Sequence, residues 1–237
     1  MSAPAVSAPP TPLASWSRFA MPAFFLFSAL DLLFEAAGPH LGFALTKPLL
    51  MPLLLAGVVA ANGLGGRGAA VTGARGVSKL LVGALVGSFV GDTMLLFSGT
   101  LFLVGMAGFA CAHVCYIRLF LARARRNPGR LRGALAAYGV IWIALISSLW
   151  SGLDSSLRIP VACYSLLLAG MATTSYGTSR RTGLGGALFL LSDSMIAAHL
   201  AHWSTPTGTG FAVMATYLVG QYLLVTGALS LALALPE

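Results

Sequence analysis

The chain alternates long apolar segments with short stretches of glycine, proline and charged residues. Each segment has the length of a helix that crosses a bilayer, roughly 20 residues. The pattern therefore predicts an all-α integral membrane protein, with eight transmembrane helices forming one domain over residues 19–235. Residues 1–18 are rich in Pro, Ala and Ser and predict a flexible cytoplasmic tail. The predicted spans are 19–37, 43–62, 77–96, 100–121, 133–151, 157–177, 183–202 and 210–234.

Composition strengthens the membrane prediction. Hydrophobic residues make up 57% of the chain and charged residues 8%, against about 25% charged in a soluble domain. Three cysteines do not form a disulfide framework, and we interpret them as small buried apolar residues. They are Cys111, Cys115 and Cys163.

The distribution of basic residues predicts the orientation. The formal net charge is +8, which on a soluble protein would suggest nucleic acid, but here the arginines fall in alternate loops. The stretch "RARRNPGRLR" has five of them, whereas Arg158 is the one arginine of the four opposite loops. This positive-inside pattern places both termini in the cytoplasm and suits eight spans; anionic lipid or RNA contact is the alternative for the arginine-rich loop. The other basic residues on the cytoplasmic side are Arg18, Arg67, Arg75, Lys79, Arg180 and Arg181.

Two carboxylates lie inside apolar segments. Asp92 occurs in "SFVGDTMLLF" and Asp193 in "LFLLSDSMIAAH". Asp92 lies roughly 6 Å below the outer end of its span at 1.5 Å per residue, and Asp193 is nearer the midplane. A charge at mid-membrane costs about 2.5–3.5 kcal/mol on insertion scales. Both side chains are therefore predicted to face a wet cavity, where two neighbouring carboxylates do not both ionise easily and so divide into a general acid and a general base.

Other polar residues are predicted to join them in the outer half of the bilayer. Lys47 would neutralise a carboxylate, and Asp31 and Glu35 share one face of the first span. A buried ion network without chemistry is the alternative for Asp31, Glu35 and Lys47. The remaining members of the predicted site are His113, which is as readily a helix-packing residue, with Tyr164, Tyr217 and Gln221.

Two further patterns are weaker. The pair His199 and His202 in "HLAH" has a spacing that suits a metal ion, but no third ligand is near in sequence, so an interfacial role is favoured and no metal is predicted. "GDTML" in the third span resembles "SDSMI" in the seventh. The match predicts a parallel four-plus-four helix repeat that brings both aspartates to one interface.

These residues carry a resemblance to a known family. "KP" at Lys47, "SFVGDTMLL", His113 followed by Tyr116, Tyr164, "GALFLLSD" and "TYLVGQ" occur in the order and spacing of the YhhN/TMEM86 family, over residues 43–230. In the last motif Gly220 replaces a common alanine. The family's characterised members are eight-span lysoplasmalogenases.

The resemblance implies hydrolysis of the vinyl ether bond of a lysoplasmalogen, a lysophospholipid taken from the bilayer, without nucleic acid or a cofactor. A vinyl ether is cleaved by one protonated carboxyl group, one carboxylate and a water, as in glycoside hydrolysis. Asp92 and Asp193 would share these roles, Lys47 would meet a carboxylate or the lipid phosphate, and Ser192 would hold Asp193 or pack against a helix. His113, Tyr164, Tyr217 and Gln221 would hydrogen-bond the site.

Three other functions remain open from the sequence. Intramembrane Asp, Lys and His also suit a proton- or cation-coupled transporter. A metal-dependent membrane amidase or esterase and a structural scaffold are the other two. The bias to Ala, Gly, Leu and Arg predicts a high-GC bacterium and hence its cytoplasmic (inner) membrane.

Overall fold

The structure, a computed structural model, describes residues 12–38, 40–62 and 78–233. All regular secondary structure in these ranges is α-helical, as predicted. The described residues form eight helices. They are α1 (Pro12–Ala37), α2 (His40–Asn62), α3 (Lys79–Met94), α4 (Thr100–Ala124), α5 (Pro128–Leu149), α6 (Ser155–Thr178), α7 (Arg180–Leu200) and α8 (Thr209–Leu233).

The helices follow the predicted spans closely. Seven of the eight described helices are long and apolar enough to cross a membrane. The exception is α3, whose 16 residues fall short of the roughly 20 that a span needs, so the prediction of eight crossings remains a prediction. The N-terminal segment is helical from Pro12, which corrects the predicted flexible tail over its last seven positions; residues 1–11 lie outside the described ranges.

The arginine-rich loop is shorter than predicted, and the ends of α4 and α5 explain why. Asn127 caps α5 by accepting a hydrogen bond from the Arg130 backbone N–H at 3.3 Å, and Pro128 occupies the first turn, where its missing N–H costs nothing. As a result α4 and α5 extend into the arginine-rich stretch and leave only a short turn between them. These arginines and those at the start of α7 share one end of the bundle, called the arginine end below.

The bundle is built from three tight hairpins, a helix that joins two of them (α6) and a peripheral helix (α5). α1 packs on α2, α3 on α4 and α7 on α8, while α6 joins α4, α5 and α7. Glycines permit the close crossings: a Cβ on Gly87 would lie 2.8 Å from the Gly108 carbonyl oxygen, and a Cβ on Gly185 would lie 2.9 Å from that of Gly220. Small residues at such crossings let membrane helices approach closely.

The core and the lipid-facing surface separate as expected for a membrane bundle, with one correction. The main core includes Phe24, Tyr116 and Phe120, all fully enclosed. Cys111 and Cys163 are exposed on the outside of the helices, so the prediction that all three cysteines are buried was wrong. Apolar thiols pay no penalty for facing lipid, and composition alone does not tell the two environments apart.

Candidate functional site

The polar side chains gather at the end of the bundle opposite the arginine end. There α1 ends and α2 begins, and the same holds for α3 with α4, α5 with α6, and α7 with α8. We call this the site end. Asp92 lies two residues before the end of α3 and Asp193 seven residues before the end of α7, which at 1.5 Å per residue is about 3 Å and about 10 Å from the helix ends.

Asp92 belongs to an enclosed hydrogen-bond network. Its Oδ2 accepts a hydrogen bond from the Tyr217 hydroxyl of α8 at 2.6 Å. The Gln221 amide lies one turn further along α8 and donates to Ser88 Oγ at 2.7 Å and more weakly to the Tyr217 hydroxyl at 3.4 Å. Tyr116 donates to Gln221 Oε1 at 2.8 Å. Asp92 is 1% exposed, so this network ties α3, α4 and α8 together within the core.

Asp193 belongs to a second network, formed by residues of α4, α6 and α7. The Tyr164 hydroxyl of α6 donates a short hydrogen bond to Asp193 Oδ2, and His113 Nε2 lies 3.2 Å from the same hydroxyl. If Tyr164 donates to Asp193, His113 Nε2 carries the proton shared with Tyr164 and Nδ1 is an acceptor. That Nδ1 is buried and has no hydrogen-bond partner, which is uncommon for a buried polar atom.

An aromatic wall separates the two networks. Phe189 packs edge-on against Tyr217 and His113, with ring centroids 5.3 and 5.0 Å apart. Phe109 packs edge-on against Phe189 and Tyr217, both at 5.9 Å. These apolar rings exclude water from the space between the tyrosine–aspartate pairs. Electrostatic interactions there are consequently stronger than at a solvated surface.

A third carboxylate and a lysine complete the cluster. Asp31 is 0% exposed, and its Oδ1 accepts a hydrogen bond from Thr46 at 2.7 Å while Oδ2 has no partner. The Lys47 ammonium lies 5.0 Å from the Phe43 ring centroid, and its charge acts on Asp31, Asp92 and Asp193. The positive charge of the partly buried Lys47 therefore stabilises the ionised form of three carboxyl groups.

Two neighbouring cavities lie beside this cluster. The first, the apolar groove, lies among α4, α5, α6 and α7 and includes Trp142, Tyr164 and Asp193 in its lining. The second, the vestibule, opens at the site end with a volume of about 490 Å³ and is lined by Glu35, Lys47 and His199. Both cavities share four apolar residues as a common wall: Leu95, Phe102, Ile196 and Leu200.

The predicted site residues divide into those that meet and those that do not. Tyr164 contacts Asp193, and His113 is linked to it through the Tyr164 hydroxyl. Tyr217 contacts Asp92, and Gln221 is linked to it through the Tyr217 hydroxyl. Ser192 does not hold Asp193, because its hydroxyl donates to the Val213 carbonyl at 3.0 Å; of the two predicted roles, the geometry favours packing.

The histidine pair of "HLAH" lies outside the hydrogen-bonded networks, although His199 lines the vestibule. His199 and His202 are both exposed. Within the described ranges no group of three or more His, Cys, Asp or Glu side chains is close enough to share a metal ion.

Three residues of the site were missed by the sequence analysis. Tyr116 was noted only as part of a motif, although it lies three residues after His113 and so shares its helix face. Ser88 lies one turn before Asp92 and shows the same spacing signal. Thr46 gave no signal in the sequence, because its contact with Asp31 depends on how α1 and α2 cross.

Comparison with known proteins identifies the family. The profile of the YhhN family matches residues 42–228, which includes every predicted site residue from Lys47 to Gln221. The chain belongs to the YhhN family. Asp31 and Glu35 lie before the matched range.

Curated relatives carry one name. Human "Lysoplasmalogenase TMEM86B" is 34% identical over 65% of this chain and 65% of its own length. The pig protein of that name is 35% identical over 65% of this chain and 66% of its own length. "Lysoplasmalogenase" of Mycobacterium bovis is 31% identical over 78% of this chain and 70% of its own. The match thus spans slightly less than two thirds of the mammalian relatives, and no solved structure is significantly similar to the chain.

Proposed function

We propose that this protein is a lysoplasmalogenase-type hydrolase that cleaves the vinyl ether bond of a lysoplasmalogen within the membrane. The observation that carries the proposal is Asp193, a carboxyl group in the lining of an apolar groove, with its hydroxyl partner Tyr164 beside it. The names of the relatives support the same activity. The products would be a fatty aldehyde and a glycerophospho-ethanolamine or -choline.

The reaction needs one proton and one water. A carboxylic acid donates its proton to the outer carbon of the C=C bond, and the ether oxygen stabilises the resulting oxocarbenium ion. Water then adds to the carbon bound to oxygen and loses a proton to a carboxylate, which gives a hemiacetal. The hemiacetal collapses to the aldehyde and the free alcohol with no net change in protons, and the proton taken from water replaces the one that the acid gave to carbon, as in paired-carboxylate glycosidases.

Asp193 is the general acid in this proposal. It reaches the apolar groove, where an alkenyl chain would lie, whereas Asp92 lines neither this groove nor the vestibule. Tyr164 and His113 form a row of hydrogen-bonding groups behind Asp193. The Tyr164 hydroxyl holds the carboxyl group, and the His113 ring orients that hydroxyl.

Asp92 is the charged partner. The hydrogen bond from Tyr217 at 2.6 Å stabilises the ionised carboxylate against the cost of its burial, and Lys47 acts on Asp92 through space as it does on Asp193. In the proposal the Asp193 carboxylate left after alkene protonation takes up the proton that water releases, and the negative charge of Asp92 stabilises the oxocarbenium ion across the aromatic wall. Its partners Gln221 and Tyr116 hold this arrangement and do not react.

The groove fits the single chain of a lysolipid. Trp142 on α5 and Ser165 on α6 are joined by a hydrogen bond of 3.0 Å and lie with Asp193 in the same lining. Only Ala134 and Leu149 of α5 are buried, so the helix that closes this groove is loosely held. Movement of α5 would admit a chain from the bilayer without opening the core.

The membrane arrangement completes the proposal. We infer eight crossings and both termini in the cytoplasm, with the repeat relating α3 to α7. The site end then faces the outer leaflet of a bacterial cytoplasmic membrane. Single cysteine substitutions at Asp154 and at Arg126 test this orientation. A membrane-impermeant thiol reagent added to intact cells should label the cysteine at position 154 and not the one at position 126.

Aldehyde release is the direct test. The purified protein in detergent is given lysoplasmenylethanolamine, and aldehyde is followed with a coupled dehydrogenase. Wild-type protein should release aldehyde, the Asp193→Asn variant should not, and Asp154→Asn should match wild type because Asp154 is exposed and its side chain caps no backbone N–H. A folded wild-type protein that releases no aldehyde from lysolipids of several head groups would contradict the proposal and direct attention to ion-coupled transport, measured as uptake into proteoliposomes.

A further inference from the structure

The vestibule contains two opposite charges at different depths. Lys47 lies seven residues into α2 from His40, and Glu35 lies two residues before the end of α1 at Ala37. Their backbones are thus about 10 Å and about 3 Å from the site end. The Lys47 side chain runs back along its helix, with the ammonium over Phe43 one turn nearer the end.

The order of groups along the membrane normal is therefore fixed. The Asp193 carboxyl group is deepest, because its side chain leans along α7 away from the site end; the Lys47 ammonium follows, and the Glu35 carboxylate is outermost. A lysophospholipid has the same order, because the chain and its vinyl ether are followed by the phosphate and then by the head-group end. The negative phosphate would lie beside the Lys47 ammonium, and the head-group end would lie beside the Glu35 carboxylate.

We propose that Glu35 selects the head group: it binds the ammonium of a zwitterionic lysophospholipid while Lys47 binds the phosphate. The inference rests on the proposed function for the position of the chain. A glycerol head group would present no cation to Glu35, and a head group with a second negative charge would be repelled. The vestibule thus favours ethanolamine or choline over anionic lipids.

The position of Glu35 is held by the start of α8. A Cβ on Gly210 would collide with Glu35 Oε1, so the carboxylate lies against the first turn of α8 in space that only glycine leaves free. A carboxylate at a helix N-terminus also stabilises that helix. A purely structural role of this kind predicts a change in thermal stability without a change in head-group preference, which separates the two roles by experiment.

Hydrolysis provides the first measurement. Lysoplasmenylethanolamine and lysoplasmenylglycerol with the same chain are compared by kcat/KM for wild type, Glu35→Gln, Glu35→Asp and the control Asp154→Asn, which removes one exposed carboxylate at the same end. The preference for ethanolamine should fall about fivefold in Glu35→Gln, through KM rather than kcat, and should persist in Glu35→Asp and Asp154→Asn. An unchanged ratio in a folded Glu35→Gln protein would overturn the inference.

Binding separates this inference from the hydrolase proposal. Native mass spectrometry measures how strongly the same proteins retain saturated 1-alkyl lysolipids, which cannot be cleaved, with ethanolamine or glycerol head groups. A wild-type preference for ethanolamine that is lost in Glu35→Gln supports the head-group site even if no aldehyde is ever released. Equal retention of both lipids by wild type would overturn it even if aldehyde release is observed, and this outcome requires no variant to fold.

Discussion

The two tyrosine–aspartate pairs of the bundle use the same groups in opposite settings. Around Asp92, the polar atoms of Tyr217, Gln221, Tyr116 and Ser88 satisfy one another inside the core. Around Asp193 the cluster is open on one side, because the carboxyl group and Tyr164 line the apolar groove. One pair is enclosed by protein and the other faces the space for a ligand.

This difference indicates that the open pair carries out the reaction and that the enclosed pair holds the structure around it. A fully satisfied buried network makes a core rigid and specific, whereas a polar group in the lining of an apolar groove is placed to orient a ligand. On the open side the Asp193 carboxyl group and the Tyr164 hydroxyl are such groups. On the enclosed side the Gln221 amide has partners on both its oxygen and its nitrogen. We therefore expect variants of the open pair to lose rate and variants of the enclosed pair to lose stability as well.

The largest effect is expected from the two aspartates themselves. Asp193→Asn removes the proton donor and should lower kcat/KM for lysoplasmenylethanolamine about 10³-fold, within the range for general acid catalysis. Asp92→Asn removes only the charge behind the aromatic wall and should lower it about 10²-fold. Aldehyde release measures both, with circular dichroism in detergent as the check on folding.

Which of the two variants loses more kcat/KM tests the assignment of roles to the two aspartates. A larger loss in Asp92→Asn than in Asp193→Asn would exchange the roles of the two carboxyl groups. Full activity in either variant would remove that residue from the mechanism.

A backbone change on the enclosed side tests whether helix packing positions Asp92. In Gly87→Ala the new methyl group would lie 2.8 Å from the Gly108 carbonyl oxygen and 3.0 Å from the Ala112 nitrogen. Backbone atoms cannot move aside cheaply, so overpacking should cost about 2 kcal/mol. Thermal unfolding in detergent should show a lowered midpoint together with reduced activity.

Gly133→Ala is the matched control for that change. Its Cβ would meet nothing within 4 Å, and alanine favours a helix over glycine by up to about 1 kcal/mol. The midpoint should therefore stay equal or rise. Equal destabilisation by both variants would show that the α3–α4 crossing does not hold Asp92.

The sequence predicted the helices well because lipid imposes a simple rule. Apolar length defines each span, and the ends of the described helices match the predicted spans within about five residues, apart from the start of α1. Asp92 and Asp193 were found for the same reason, since a carboxylate in an apolar run is costly and must be compensated. Depth along a helix could likewise be counted from residue numbers.

The partners of the aspartates could not be predicted, because they depend on how helices rotate and cross. Tyr217 and Tyr164 were assigned to the site, but the pairing of Tyr217 with Asp92 and Tyr164 with Asp193 required the packing of α8 on α3 and of α6 on α7. Ser192 adjoins Asp193 in sequence yet points toward α8, since neighbouring helical residues lie about 100° apart around the axis.

Removal of the two hydroxyls should separate rate from stability more finely. Tyr164→Phe removes the hydrogen bond to Asp193 and breaks the row to His113, and should lower kcat about tenfold, the upper end for loss of one hydrogen bond. Tyr217→Phe leaves an Asp92 oxygen without its buried donor and should destabilise the protein by about 1–2 kcal/mol. The coupled assay and thermal unfolding are applied to both variants. If the two variants show the same ratio of rate loss to stability loss, the distinction between an open and an enclosed pair fails.

The smallest effect is expected at the edge of the groove. Trp142→Phe removes the indole N–H that donates to Ser165 at 3.0 Å but keeps an aromatic ring in the lining. Hydrogen bonds between membrane helices contribute about 0.6 kcal/mol on average, so unfolding should change little, while a looser α5 should alter KM for a long-chain substrate by about twofold and leave kcat unchanged. Ser165→Ala removes the other partner of the bond and should reproduce the result. A loss of kcat in both variants would instead mean that α5 helps to place Asp193, so that the groove and the open pair act as one unit.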